Sequence, residues 1–494
     1  MTTTFSYPVW NLLHFDRSSH EPLQEQLFEQ LRTAIVQGHI GRGTRLPPSR
    51  LLAEELDVSR NTVVGAYERL AAEGYLTQRV GAGTFVARTL PEDHQVRGTK
   101  NPQAPSPSRP LSQRGQSILD MDLPWGRIQE FDLSPGTPAL DEFPFDAFAQ
   151  LAGRLWRSHP FVDLGYGDPG GLRLLREQIA LYLGEARGLA CEPDQVIVVS
   201  HTLQALTLVS HVLLDPGDTA LIEDPSYTAE AAALAASGVR SLSIPIDADG
   251  LDIGAATNDE RRSRLAVVAP VGQFGSTMSP DRRTHLLQWA RETGSWIFED
   301  DFNSDLRWAG QPMAPLASGE GGNHVIYCNS FNRILAPGLR IGFLVIPPDL
   351  IDAFTAAQQA LSFHVSLPIQ HLLSEFMARG HLAAHMRRMR AIYSERAITL
   401  SQSLREECGD SFTVPDVTAG LYLLAEGNDD FDDVAISNAA LRHRLDVPPL
   451  SRYCLSGKRR RGLILGFAST PTVRIPRCVR ALARIIAEMG RSPA

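Results

Sequence analysis

Arg60, Asn61 and Thr62 stand in a row directly after Ser59 in a chain of 494 residues. A guanidinium, an amide and a hydroxyl side by side are groups that pair with phosphate oxygens and base edges. Amines, by contrast, are nearly missing. The chain holds two lysines, Lys100 and Lys458, against 45 arginines. Chemistry that needs a primary amine side chain therefore has two residues to draw on. An arginine cannot substitute, because its group stays protonated at every relevant pH.

The element that presents Arg60–Thr62 follows from hydrophobic spacing. Val63, Ala66 and Leu70 share one face of a helix predicted over Arg60–Glu73, with Ser59 as its cap. A shorter helix over Leu51–Leu56 precedes it, with Ser49 placed to cap that one, and Asp57-Val58-Ser59 makes the break. Two helices joined by a three-residue turn predict a helix-turn-helix, whose second helix enters the major groove by its N-terminal end. Upstream, Leu23–Gln37 has apolar residues at 23, 27, 31, 34 and 35, again one helical face. Downstream, Leu76–Arg79 and Thr84–Ala87 flank Val80-Gly81-Ala82-Gly83, which predicts a β-hairpin wing.

Charge permits this reading without demanding it. Residues 1–90 carry nine arginines and nine acids, so the whole net charge of −9 lies in the remainder. The five cysteines are scattered and odd in number, which argues against a disulfide framework and for a cytoplasmic home. The first residues do not read as a secretory signal, and no apolar run is long enough to span a membrane.

Three zones divide the chain: 8–88, a linker over 89–119, and 120–494. The middle one is poor in apolar residues and contains Pro91, Pro102, Pro105, Pro107 and Pro110. Such a composition cannot bury a core, and about 30 extended residues reach roughly 100 Å. In the third zone short β-rich runs alternate with helical segments. The runs are Gln195–Ser200, Thr219–Ile222, Arg264–Ala269, Trp296–Glu299, Val325–Cys328 and Gly342–Ile346. That order predicts an α/β domain with a mostly parallel sheet.

Two stretches carry resemblances. LPPSRLLAEELDVSRNTVVGAYERLAAEGYLTQRVGAGTFVA, from Leu46 to Ala87, resembles the winged helix of the GntR superfamily. DLGYGDPGGLRLLREQIALYL, IEDPSY, FEDDFNSDLRW and LAPGLRIGF resemble the aminotransferase fold of pyridoxal-phosphate enzymes. The two together, joined by a proline-bearing linker, resemble the MocR-type regulators. The resemblance implies a winged helix-turn-helix, then a large fold-type I aminotransferase-like domain with a smaller C-terminal α+β subdomain. It implies double-stranded DNA as a partner, a small-molecule effector and a homodimer. On DNA it assigns Arg50, Arg60, Asn61, Thr62 and the wing glycine Gly81.

In the large domain the same resemblance assigns roles around pyridoxal phosphate. Asp300 matches the acid that faces the ring nitrogen, and Tyr227 the aromatic that stacks on the ring. Ser330 and Arg340 match phosphate contacts. Thr202 and the backbone around it fall in the phosphate-binding turn, where a helix N-terminus suits an anion. The departures sit on the same site. Arg333 stands where the lysine that forms the Schiff base is expected. Phe302 replaces a tyrosine, His201 a small residue, and Tyr422 a common histidine. Pro270–Thr277 departs from the usual loop.

Three readings follow. The first is a regulator whose aminotransferase-like domain senses a small molecule, such as a vitamin-B6 compound or an amino acid, without catalysis. Pyridoxal phosphate would then bind noncovalently if it binds. The second is a pyridoxal-phosphate aminotransferase with an accessory DNA-binding domain, which the missing lysine opposes. The third is a regulator whose large domain is only a dimer scaffold, which the retained Asp300, Tyr227, Ser330 and Arg340 oppose.

Overall fold

The computed structural model describes residues 13–17, 19, 21–79, 83–91, 110–121, 131–158, 164–272, 274, 276–311, 313–455 and 460–489. The chain folds as two units, residues 1–109 and 110–494.

In the first unit, α1 (Leu23–Val36), α2 (Ser49–Glu55) and α3 (Arg60–Ala72) precede a hairpin of β1 (Leu76–Arg79) and β2 (Gly83–Val86). Leu27, Leu31, Leu52, Val63, Ala66 and Leu70 form its core, so the face predicted for α3 is the buried one. Ser59 Oγ accepts the Thr62 N–H at 3.1 Å, which caps α3. The cap predicted at Ser49 is different. Ser49 is already helical, and the N-cap is Pro48, whose ring supplies no acceptor. The turn between α2 and α3 passes through Asp57 at φ 51°, a left-handed conformation that aspartate tolerates better than most side chains. Arg45 bridges to Phe85, so the hairpin gains the edge of a third strand. Val80, Gly81 and Ala82 lie outside the described residues.

The second unit opens inside the segment read as linker. α4 (Gln113–Leu119) is a helix capped by Ser112. The central sheet contains β3 (Val196–Val199), β4 (Thr219–Asp224), β5 (Arg240–Asp247), β6 (Gly250–Leu251), β7 (Leu265–Val268), β8 (Trp296–Asp300), β9 (Val325–Ser330) and β10 (Gly342–Val345). Their spatial order is β3-β10-β9-β8-β7-β4-β5-β6. The run from β9 to β5 is parallel, and β10 and β6 pair antiparallel. All six predicted runs are strands. β5 went unread because it is interrupted by Pro245 and is only partly buried.

α5 (Phe145–Arg157), α6 (Arg173–Tyr182), α7 (Thr202–Leu213), α8 (Thr228–Ala236), α9 (Pro280–Thr293), α10 (Ile351–Leu361) and α11 (Leu367–Ala378) belong to this layer system. α4 packs on α8. The 28-residue α12 (His381–Cys408) leads to a smaller subdomain. There β11 (Tyr422–Glu426) and β12 (Gly462–Gly466) form a two-stranded antiparallel sheet with α13 (Asp433–Arg442) and α14 (Ile475–Met489). Among the described residues, no helix is long and apolar enough to cross a membrane.

Candidate functional site

Strand ends and helix starts meet along one edge of the sheet. A parallel sheet brings several chemically distinct side chains together at the carboxyl ends of its strands. Here Glu223 and Asp224 end β4, and Asp300 ends β8. Ser330 ends β9, and the turn carrying Arg333 follows. Thr202 opens α7, and Tyr227 caps α8.

The two acids at the end of β8 have separate surroundings. Asp301 is held by Arg187 at 2.5 Å and by the Tyr327 hydroxyl at 2.8 Å, and Ser304 donates to it. Asp301 therefore serves the fold. Asp300 receives the Thr202 hydroxyl, while its Oδ1 is buried without a partner. Burial, then the neighbouring Glu230 carboxyl, pushes Asp300 well above the usual carboxylate range, and Arg333 opposes them.

Arg333 lies with its Cζ 4.2 Å from the Phe302 ring centre and 5.9 Å from that of Tyr422. It also hydrogen-bonds the Tyr422 side chain, yet its Nη1 is buried without a partner. Its charge bears on Asp300, Glu230 and Tyr227. Burial raises the Tyr227 phenol to about 12, against the pull of Arg333. Phe302 and Arg333 thus face each other in a cation–π contact.

The turn expected to cradle a phosphate is altered. α7 does begin at Thr202, but His201 Nδ1 accepts the Leu203 N–H at 3.1 Å and the Gln204 N–H at 3.4 Å. Two donors that the helix start would offer an anion are therefore taken by an imidazole. Burial and the Arg340 guanidinium lower that imidazole to about 4, so it is neutral and able to accept. Arg340 is exposed, at φ 54°, and its charge reaches His201. Ser330 is buried, and its N–H is held locally by Asn329 Oδ1 at 2.6 Å.

The structure thus brings Thr202, Tyr227, Asp300 and Arg333 into one connected group and sets Arg340 beside its His201 edge. Three further members were not singled out from sequence. Glu230 accepts from Ser226 Oγ at 3.0 Å and rises to about 7 through burial. Glu223 rises to about 8 for the same reason, with Oε1 unpartnered. Asn303 is 5% exposed and has an unpartnered Oδ1. One signal was available for Glu230, which is the lone charge in the helix TAEAAALAA.

In the first unit, Arg50, Arg60 and Asn61 are exposed, and Thr62 is half-buried. Arg60 and Asn61 project from the first turn of α3. Thr62 turns its hydroxyl back on Ser59 Oγ at 2.8 Å, and Arg50 pairs with Glu54 at 3.3 Å.

Two family models match the chain. Residues 23–86 match the bacterial regulatory proteins of the gntR family, and residues 142–456 match aminotransferase class I and II. The chain is 37% identical to the probable rhizopine catabolism regulatory protein MocR of Rhizobium meliloti, over 92% of each chain. It is 29% identical to the pyridoxine biosynthesis regulator PdxR of Corynebacterium glutamicum, over 91% of this chain and 93% of that one. Among solved structures, the α-aminoadipate aminotransferase LysN of Thermus thermophilus matches with a TM-score of 0.67 and 25% identity. That match covers 76% of this chain and 95% of LysN. The GntR-type winged helix is a DNA-binding module, and the aminotransferase fold is that of enzymes dependent on pyridoxal phosphate. With both modules in one polypeptide and this likeness along nearly its whole length, the chain belongs to the MocR-type transcriptional regulators of the GntR superfamily.

Proposed function

We propose that this regulator binds double-stranded DNA as a homodimer in the cytoplasm, and that its aminotransferase-like domain senses a small molecule held without a covalent bond. Arg50, Arg60, Asn61, Thr62 and Gly81 face the DNA in this reading. Thr202, Tyr227, Asp300, Ser330, Arg333 and Arg340 face the ligand. The domains run over 8–88 and 120–494, joined by 89–119, with α4 as an ordered end of the linker.

One observation carries the ligand reading. The Arg333 guanidinium sits against Phe302 with a buried, unpartnered Nη1, in the same group as Asp300 with its unpartnered Oδ1. A free donor and a free acceptor together suit a ligand with an anionic group and a nitrogen. The chain has two lysines, Lys100 and Lys458, and Arg333 stands where the resemblance expects the lysine that forms the Schiff base. The residues therefore fit a ring that Asp300 can meet and do not fit a cofactor held through its aldehyde. No transamination is expected. Pyridoxal phosphate as free aldehyde, its amine form and other metabolites remain as ligands, with Asp300 favouring a vitamin-B6 compound. The relatives' names attach them to the regulation of rhizopine catabolism and of pyridoxine biosynthesis, two processes that handle small molecules.

The test is to add pyridoxal phosphate, reduce with borohydride and weigh the intact protein. The natural chain gains no specific adduct at this site, and Arg333→Lys gains one. A specific adduct on the natural chain refutes the noncovalent reading.

A further inference from the structure

The end of α13 carries an arginine where the backbone favours glycine. Leu445 N–H donates to Ala440 O and Arg444 N–H to Leu441 O, both at 3.0 Å, the paired bonds that close a helix through a left-handed residue. That residue is Arg444, at φ 61°. Glycine fills such a position most easily, because a Cβ is crowded there. Leu133, at φ 60°, is a second left-handed residue, and the segments that hold the two are paired. Asp132 N–H donates to Arg444 O at 3.1 Å, and Asp446 N–H donates to Asp132 O at 3.0 Å. Thr470 Oγ1 accepts the Leu133 N–H at 2.8 Å, and Leu133 O accepts the Gly466 N–H at 2.7 Å. Conformations of this kind persist where the surroundings fix them, and they gather at binding sites.

These segments and the start of α14 line a cavity of about 690 Å³ in the smaller subdomain. Its lining brings together Phe131, Asp132, His443, Arg444, Arg474 and Arg477. Three guanidiniums thus stand against one carboxylate, Asp132, and Arg474 already holds that one at 2.5 Å. Arg444 lies with its Cζ 5.8 Å from the centre of the Phe131 ring, so an aromatic face backs its guanidinium. Among the described residues, the Arg477 side chain has no hydrogen-bond or ion-pair partner. None of these residues belongs to the group around Asp300 and Arg333.

We propose that this cavity is a second ligand site, for a small molecule with at least two negative charges, a phosphate monoester or a dicarboxylate. Arg444 and Arg477 contact the anion, and Asp132 holds Arg474 in place beside them. Guanidinium forks match the oxygens of both anion types. The volume is that of a pocket for a metabolite-sized molecule. An arginine kept where glycine is favoured is then explained by what its side chain reaches and not by the helix it ends.

The experiment uses the full chain, with phenyl phosphate, succinate and butyrate as probes in calorimetric titrations at low salt. Phenyl phosphate and succinate separate the phosphate from the dicarboxylate, and butyrate is succinate with one charge removed. The expected result is that at least one dianion binds with a dissociation constant below about 1 mM, and butyrate about tenfold more weakly or not at all. Arg444→Gly should weaken the dianion about tenfold or more, while the melting temperature without ligand stays the same or rises. Arg477→Gln should weaken it in the same way, and Arg333→Gln should leave this binding in place. Absence of binding by both dianions overturns the proposal. Binding that survives both Arg444→Gly and Arg477→Gln overturns it too. If that surviving binding is lost in Arg333→Gln, the anion belongs to the site around Asp300, and the reading of that site stands alone.

Discussion

The Arg333 guanidinium lies 4.2 Å from the centre of the Phe302 ring. Each residue departs from what the family resemblance leads one to expect, and the two departures are in contact. A flat guanidinium stacks on a ring face, whereas a lysine ammonium is a compact, strongly hydrated charge. The phenylalanine thus suits the arginine, and the site has a consistent character of its own. Asp300 and Glu230 complete it as acids within reach of that cation.

DNA recognition through α3 predicts a specific loss. Arg60 is exposed at the first position of the helix, with Asn61 beside it. Arg60→Ala should weaken operator binding by about 1–3 kcal/mol if the guanidinium meets a base edge. Binding by the natural chain should fall steeply with salt and protect two half-sites. An unchanged affinity and footprint in Arg60→Ala would displace α3 as the reading helix.

The cap of α3 predicts a stability effect separable from DNA contact. Ser59 Oγ accepts the Thr62 N–H at 3.1 Å and lies 2.8 Å from the Thr62 hydroxyl. Ser59→Ala should destabilise the winged helix by about 1 kcal/mol, and Ser59→Asp should restore most of that. Thermal unfolding of the first unit, followed by hydrogen exchange in α3, measures both. Equal stability of all three proteins would show that the cap contributes nothing.

Arg187 predicts the largest single loss. Its guanidinium is 7% exposed and pairs with Asp301, 2% exposed, at 2.5 Å, with Asp305 3.9 Å away. Arg187→Met leaves two buried acids without their cation and should cost about 3–5 kcal/mol. Chemical denaturation reads this directly. A loss below about 1 kcal/mol would mean that water or another residue replaces the guanidinium.

Buried acids at the site predict a pH trend. Glu223 rises to about 8 and Glu230 to about 7, in both cases mainly through burial. Their folded values lie above the unfolded one, so the protonated form is the one the fold accommodates. The stability they contribute is complete below about pH 4, is lost progressively as pH rises from there, and is gone above about 7 and 8 respectively. Melting temperature should therefore fall as pH rises from about 6.5 to 8 and level off above, and one such group can give at most about 1.4 kcal/mol per pH unit. Glu223→Gln should flatten that slope. His201, lowered to about 4, gives the opposite trend between about pH 4 and 6.5 and none above it.

Much of the fold was legible in the chain itself. Periodicity of 3.6 placed α1 and α3, and apolar runs placed six strands of the central sheet, because burial on one face or on both leaves a pattern in sequence. Ser59 was legible as a cap because its hydroxyl acts three residues away. Ser49 was misplaced because Pro48 moves the helix start by one residue, and proline needs no capped N–H at that end. β5 escaped because Pro245 and a mixed exposure pattern erase the alternation.

By itself, the sequence determined the two modules, their order, and the residue types at Asp300, Phe302 and Arg333. Only the tertiary structure decided which of these groups meet. Asp300 and Asp301 are adjacent in sequence, yet one is tied into the Arg187 network and the other keeps a free oxygen. His201 was visible as a substitution, but only folding shows its ring on the Leu203 and Gln204 N–H groups. Glu230 was one charge in an alanine-rich helix until the ends of β4 and β8 were laid beside it. The physical reason is range. Helix faces and caps are set within a few residues, whereas the charge, burial and free valence of a site are sums over strands more than a hundred residues apart.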